Sequence, residues 1–78
     1  MTLYTEEEVR EWTKKALPAD DFSNAKWEYR GDGLYYVSGI EDNMGKERKV
    51  YIRNRDRRGD PPAITDADTG ERYWPDVK

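Results

Sequence analysis

The 78 residues include no cysteine and no histidine. Without thiols there is no disulfide framework, no thiolate nucleophile and no cysteine-ligated zinc site. Without imidazole, the side chain that most often acts as a general base near neutral pH is missing. Carboxylates, lysines, phenols and hydroxyls remain, and the hydrolytic arrangement they best support sets two carboxylates across a cleft. The 17 acidic residues furnish many chance pairs, but none lies in an apolar run that would raise its pKa. A chain this short buries only about 60% of its unfolded surface, which leaves no room for a deep cleft. The expectation is a protein that is not an enzyme and needs no cofactor or metal.

Long hydrophobic runs are missing too. No stretch approaches the ~20 apolar residues of a membrane span, and Met1 to Arg10 has no apolar core like that of a signal peptide. Small secreted domains usually carry disulfides, so the chain is expected to be soluble, cytoplasmic and independent of membranes. Leu, Ile, Val and Phe together number only 11, below the roughly 20% that warns of disorder. That warning also requires high net charge, and here it is only −3. The 3 Trp and 6 Tyr supply apolar mass, at roughly 150–250 Å² per buried ring. Residues 1–78 should therefore form one ordered domain with a core built on aromatics.

What is present is patterned first as a helix. Thr5 followed by Glu8 fits a capping box, and Glu6, Glu7 and Glu8 sit where a helix dipole favours negative charge. Val9, Trp12, Thr13 and Ala16 recur at helical spacing, while Glu6–Arg10 and Glu11–Lys15 are favourable i,i+4 pairs. Pro18 pushes the preceding residue out of helical geometry, so the spacing predicts a helix from Glu6 to Leu17.

Beyond a polar connector, the period changes to two. Lys26 to Arg30 reads as a strand with Trp27 and Tyr29 on one face, and Gly31-Asp32-Gly33 as a tight turn. Leu34 to Glu41 is rich in Tyr, Val and Ile, and Gly45 suits the left-handed position of the turn that follows. In Lys46 to Arg55, Val50 and Ile52 share one side, with Lys49, Tyr51, Arg53 and Arg55 on the other. Asp56 to Ala63, with Gly59 and Pro61-Pro62, reads as a loop. Ala63-Ile64-Thr65 and Glu71-Arg72-Tyr73-Trp74 flank a closing hairpin turn at Asp66 to Gly70. The expected fold is α+β, one N-terminal helix packed on a four-stranded antiparallel sheet of sequential hairpins.

Three motifs invite a functional reading. Asp66-x-Asp68-x-Gly70-Glu71 looks like a calcium loop, but its glycine comes one position early and Val77 stands where the closing glutamate belongs. It reads as a hairpin turn. Arg-Gly-Asp occurs at Arg30-Gly31-Asp32 and again at Arg58-Gly59-Asp60, and Gly-Asp is ordinary turn material. From Lys46 to Arg58, seven basic residues face only Glu47 and Asp56, a local net of +5. A basic strand with an interleaved tyrosine has the chemistry to grip phosphates and stack a base. The plainer reading is a solvated face that also guards a sheet edge. An acidic patch of Glu6, Glu7, Glu8, Glu11, Asp20 and Asp21 could dock on a basic surface, although capping alone accounts for its helical part.

Leu34-Tyr35-Tyr36-Val37, Gly45-Lys46-Glu47-Arg48-Lys49-Val50-Tyr51-Ile52 and Asp66-Ala67-Asp68-Thr69-Gly70-Glu71-Arg72, placed after a helix, resemble the PepSY domain across residues 5–74. Arg53 to Ala63 lengthens a connection that is short in that family. The resemblance implies a cystatin-like α+β architecture and a non-enzymatic binding role.

Together these features lead to a protein-binding domain, a small inhibitor or regulator of another protein. Phage-type inhibitors of host defence nucleases or CRISPR effectors are one such class. The candidate contact residues are Lys49, Tyr51, Arg53, Arg55, Arg57, Arg58, Tyr35 and Trp74, because Tyr, Trp and Arg dominate interface hot spots. Alternatives are a nucleic-acid-binding module using residues 46–58 and a structural assembly subunit.

Overall fold

In the computed structural model, which describes residues 2–75, helix α1 spans Glu6–Ala16 and Leu17 caps its end. The capping box forms as the spacing predicts. The Glu8 amide donates to Thr5 Oγ1 at 3.1 Å, and the Thr5 amide donates to Glu8 Oε1 at 3.0 Å. Glu6 and Arg10 pair at 3.5 Å. Val9 and Thr13 are completely buried, with Trp12 and Ala16 partly so. The Thr13 hydroxyl donates to the Val9 carbonyl at 2.8 Å, so that buried hydroxyl is paired, whereas the Trp12 indole nitrogen is buried without a protein partner.

Five strands follow: β1 (Lys26–Tyr29), β2 (Leu34–Glu41), β3 (Glu47–Arg53), β4 (Ala63–Asp66) and β5 (Arg72–Tyr73). They pair antiparallel in the order β1-β2-β3-β4-β5. The expected sheet had four strands. The count rises because both arms of the closing hairpin join the sheet, and β5, at two residues, is too short to show alternation. β3 stops at Arg53, two residues earlier than expected: the Asn54 amide still donates to the Gly33 carbonyl at 2.7 Å, but the Gly33 amide donates to the Tyr29 hydroxyl at 3.1 Å instead of returning the bond.

Two faces result. Tyr35, Val37, Val50, Ile52 and Ile64 face α1 and are buried with Val9, Leu17 and Ile40. Val37 and Ile40 are three residues apart, which in a regular strand would set them on opposite faces. The register shifts between them, and this bulge returns Ile40 to the core side. The core also departs from expectation. Its centre is aliphatic apart from Tyr35, while Tyr4, Trp12, Phe22, Trp27 and Tyr73 form a partly buried collar around it. Branched aliphatic side chains fill the narrow gap between helix and sheet, and the larger rings close its rim. Among the described residues, no helix is long and apolar enough to cross a membrane.

Candidate functional site

Among the described residues, no element covers the other face of the sheet. Cross-strand register lines up Glu28, Tyr36, Tyr51, Thr65 and Arg72 in one row, with Leu34, Arg53 and Ala63 beside it. The Tyr36 and Tyr51 rings lie 5.1 Å apart at the centre. The Arg30 guanidinium sits 4.5 Å from the Tyr36 ring and pairs with Glu28 at 3.4 Å. A shallow depression of about 390 Å³ opens next to Tyr51, lined by Leu34, Arg53, Arg55, Thr65 and Arg72 among others. Arg53 donates to the Asp32 carbonyl at 3.0 Å. Arg55 reaches the exposed Asp60 at 3.3 Å. Arg72 lies 4.7 Å over the ring of Trp74, which is 58% exposed.

Of the residues singled out from the sequence, Lys49, Tyr51 and Arg53 lie on this face of β3, opposite Val50 and Ile52. Arg55 lies past the strand end but lines the same depression. Arg57 goes elsewhere: it pairs with Glu8 at 2.6 Å, and its amide donates to the Thr2 carbonyl. Arg58 is exposed in the turn closed by the Gly59 amide on Asp56. Tyr35 is a correction. It is 7% exposed, pairs across the strands with Ile52 and packs its ring 5.0 Å from Tyr29. Burial pushes its phenol pKa up, and it is unavailable as a contact. Tyr36, its neighbour, takes the outward position instead. Arg72 and Arg30 escaped the sequence reading because only strand pairing brings them beside Tyr51 and Tyr36.

The basic run loses another member to the interior. Arg48 shares the inward parity of Val50 and Ile52, a signal the alternation itself carried. Its Nε donates to Asp20 at 2.6 Å and its terminal nitrogen to the Tyr73 hydroxyl at 2.6 Å, which in turn donates to Asp66 at 2.9 Å. Burial opposes the Arg48 charge, but Asp20 outweighs it and the pKa rises. Burial likewise opposes the Asp66 carboxylate. The Thr69 and Asp68 amides outweigh that effect, and its pKa falls below the ordinary aspartate value. Every member has its partners, so this cluster ties the connector after α1 to β3, β4 and β5 and offers no free acid or base. Asp66, the first residue of the calcium-like loop, accepts the amides of Asp68 and Thr69 as a turn cap. Among the described residues, no cluster of three or more carboxylates is placed to hold a metal ion.

The acidic patch is largely consumed by local pairing. Glu6 meets Arg10, Glu8 meets Arg57 and Asp20 meets Arg48, while Asp21 accepts from the Ser23 hydroxyl and amide. Glu7 and Glu11 stay outside these pairs and line a depression on α1, while the sheet face gathers Arg53, Arg55 and Arg72 around one depression. Comparison with known proteins adds no precedent: the chain matches no family model, no curated sequence and no solved structure.

Proposed function

We propose that the chain is a non-enzymatic protein-binding domain, a small inhibitor or regulator that meets its partner through the open face of the sheet. One observation carries the reading: the Tyr36–Tyr51 pair, its rings in tilted contact, sits centrally on an uncovered face, ringed by Arg30, Arg53, Arg55, Arg72 and Trp74. Interface energy concentrates in Tyr, Trp and Arg. Strand backbone and ring contacts already hold these side chains, so little rotamer freedom is lost on docking. Glu28, Glu41 and Glu47 share the face with the arginines, and such mixed charge suits a protein surface of complementary pattern.

Affinity capture from a nuclease-treated lysate of the source organism tests this. The wild-type chain should retain a near-stoichiometric protein. Tyr51→Ala combined with Trp74→Ala should lose it, while Glu11→Ala, on the exposed side of α1, should keep it. Equal capture by the sheet-face variant would sink the proposal.

A nucleic-acid-binding module is favoured by one arrangement, the placing of Tyr51 between Arg53, Arg55 and Arg72. It predicts oligonucleotide binding that weakens with salt by about 0.7 log unit per phosphate contact for single strands. No affinity for oligonucleotides at low salt would eliminate it.

A further inference from the structure

We propose that the depression beside Tyr51 receives a carboxylate side chain, so that the partner presents an acidic strand or loop to this chain. The inference deepens the protein-binding reading and rests on it. Three arginines from two separated segments line it: Arg53 and Arg55 from β3 and its exit, Arg72 from β5. The pairing of Arg53 with Ala63 and of Thr65 with Arg72 sets them together across β4.

Elsewhere in the molecule, every arginine but the exposed Arg58 faces a carboxylate. Arg10 has Glu6, Arg30 has Glu28, Arg48 has Asp20 and Arg57 has Glu8. Around the depression, the one ion pair among the described residues is Arg55–Asp60, with side chains 39% and 76% exposed, a contact that solvent screens and a competitor can replace. Arg53 spends a single N–H on a backbone carbonyl. Arg72 lies over Trp74, a contact that uses the flat face of the guanidinium and leaves its N–H edge for an acceptor. Like charges lining one depression repel one another, and a carboxylate accepting two N–H donors relieves that repulsion with defined geometry.

A discrete carboxylate fits better than a polynucleotide backbone. A phosphate chain crossing the sheet would leave the arginines and run onto Glu28, Glu41 and Glu47 on the same face, in a protein of net charge −3.

The test is an NMR titration of the ¹⁵N-labelled full chain with hexaglutamate, with hexaglutamine and a short oligothymidylate in parallel. Hexaglutamate should shift the amides of Arg53, Arg55, Thr65 and Arg72 saturably, and hexaglutamine should not. The double variant R53E/R72E, its fold verified by amide dispersion, should bind hexaglutamate about tenfold more weakly. No localised response to hexaglutamate, or an equal response in the charge-reversed variant, overturns the inference. Tighter localised binding of oligothymidylate overturns it in favour of a nucleic-acid site. A captured protein partner with no hexaglutamate response sinks the inference alone. A localised hexaglutamate response with no captured protein supports the carboxylate site and sinks the reading beneath it.

Discussion

Arg48 and Arg53 show how one residue type acquires opposite roles from strand parity. Arg48 points inward with Val50 and Ile52 and holds Asp20 and Tyr73, while Arg53 points outward to the depression beside Tyr51. Substituting Arg48→Met keeps the aliphatic stem but strands Asp20, whose side chain is 5% exposed, and takes a donor from the Tyr73 hydroxyl. The variant should lose about 2–3 kcal/mol of stability, read as a lower urea midpoint with unchanged slope. A loss below about 0.5 kcal/mol, the range of ordinary surface changes, would show that the network contributes nothing net. Tyr35 follows the same parity rule. It stands two residues from Val37 and so shares its face, which makes its burial legible from alternation, whereas its aromatic character alone suggested a contact residue. Asn54 gave no such signal. Its side chain accepts from the Tyr4 amide at 3.1 Å and donates to the Tyr4 carbonyl at 2.7 Å, fixing the N-terminal arm by a pairing 50 residues apart in sequence.

Among the elements, α1 was the most legible, because cap, period and stop signal all lie between Thr5 and Pro18. The hairpin turns were legible too, and Gly45 adopts the left-handed φ of 80° expected of it. The bulge in β2 was not. Gly39, at φ 74°, lies so close to the connector that a β-carbon there would stand 2.7 Å from the Asn24 carbonyl oxygen. Its amide donates to Glu47 at 2.9 Å. Gly39→Ala therefore combines an unfavourable φ with a backbone clash and should destabilise the domain by about 2 kcal/mol or more. Gly45→Ala bears a comparable φ, but its added methyl meets nothing within 4 Å. Thermal melts of the two variants separate the effects: an equal loss in both would mean that the approach of the connector does not matter. The arm 71–74 was legible as part of the closing hairpin, and β5 forms within it, but the register that sets Arg72 opposite Thr65, in line with Tyr51, was not.

For the molecule as a whole, the absence of histidine and cysteine means that no side chain with an ordinary pKa titrates between about pH 5 and 8. Acid sensitivity comes from carboxylates whose folded pKa lies below the usual value. Thr5 lowers Glu8 through its amide, Ser23 lowers Asp21 through its hydroxyl, and the Lys46 amide lowers Asp42. Asp66 joins them, with burial opposed and overcome by the Thr69 and Asp68 amides. Groups shifted this way stabilise the fold above their unfolded pKa, and the contribution is lost as pH falls through the folded value. Burial raises Tyr35 and Tyr73, so their contribution is full below the ordinary phenol pKa of about 10 and fades as pH rises through the raised values. The denaturant midpoint should stay level from about pH 5 to 8 and fall below about pH 4, with Asp66→Asn flattening part of the acid limb. A midpoint that moves between pH 6 and 8 would contradict this account.

The amino-acid order alone determined the α+β class, the helix with its cap, the inward set of β3 and the positions of most turns. Each of these depends on interactions within a few residues, which spacing and residue type encode directly. Only the tertiary structure decided which arginines are neutralised and which are left facing solvent. That choice turns on strand register, on the bulge at Gly39 and on partners tens of residues away, none of which a local pattern contains.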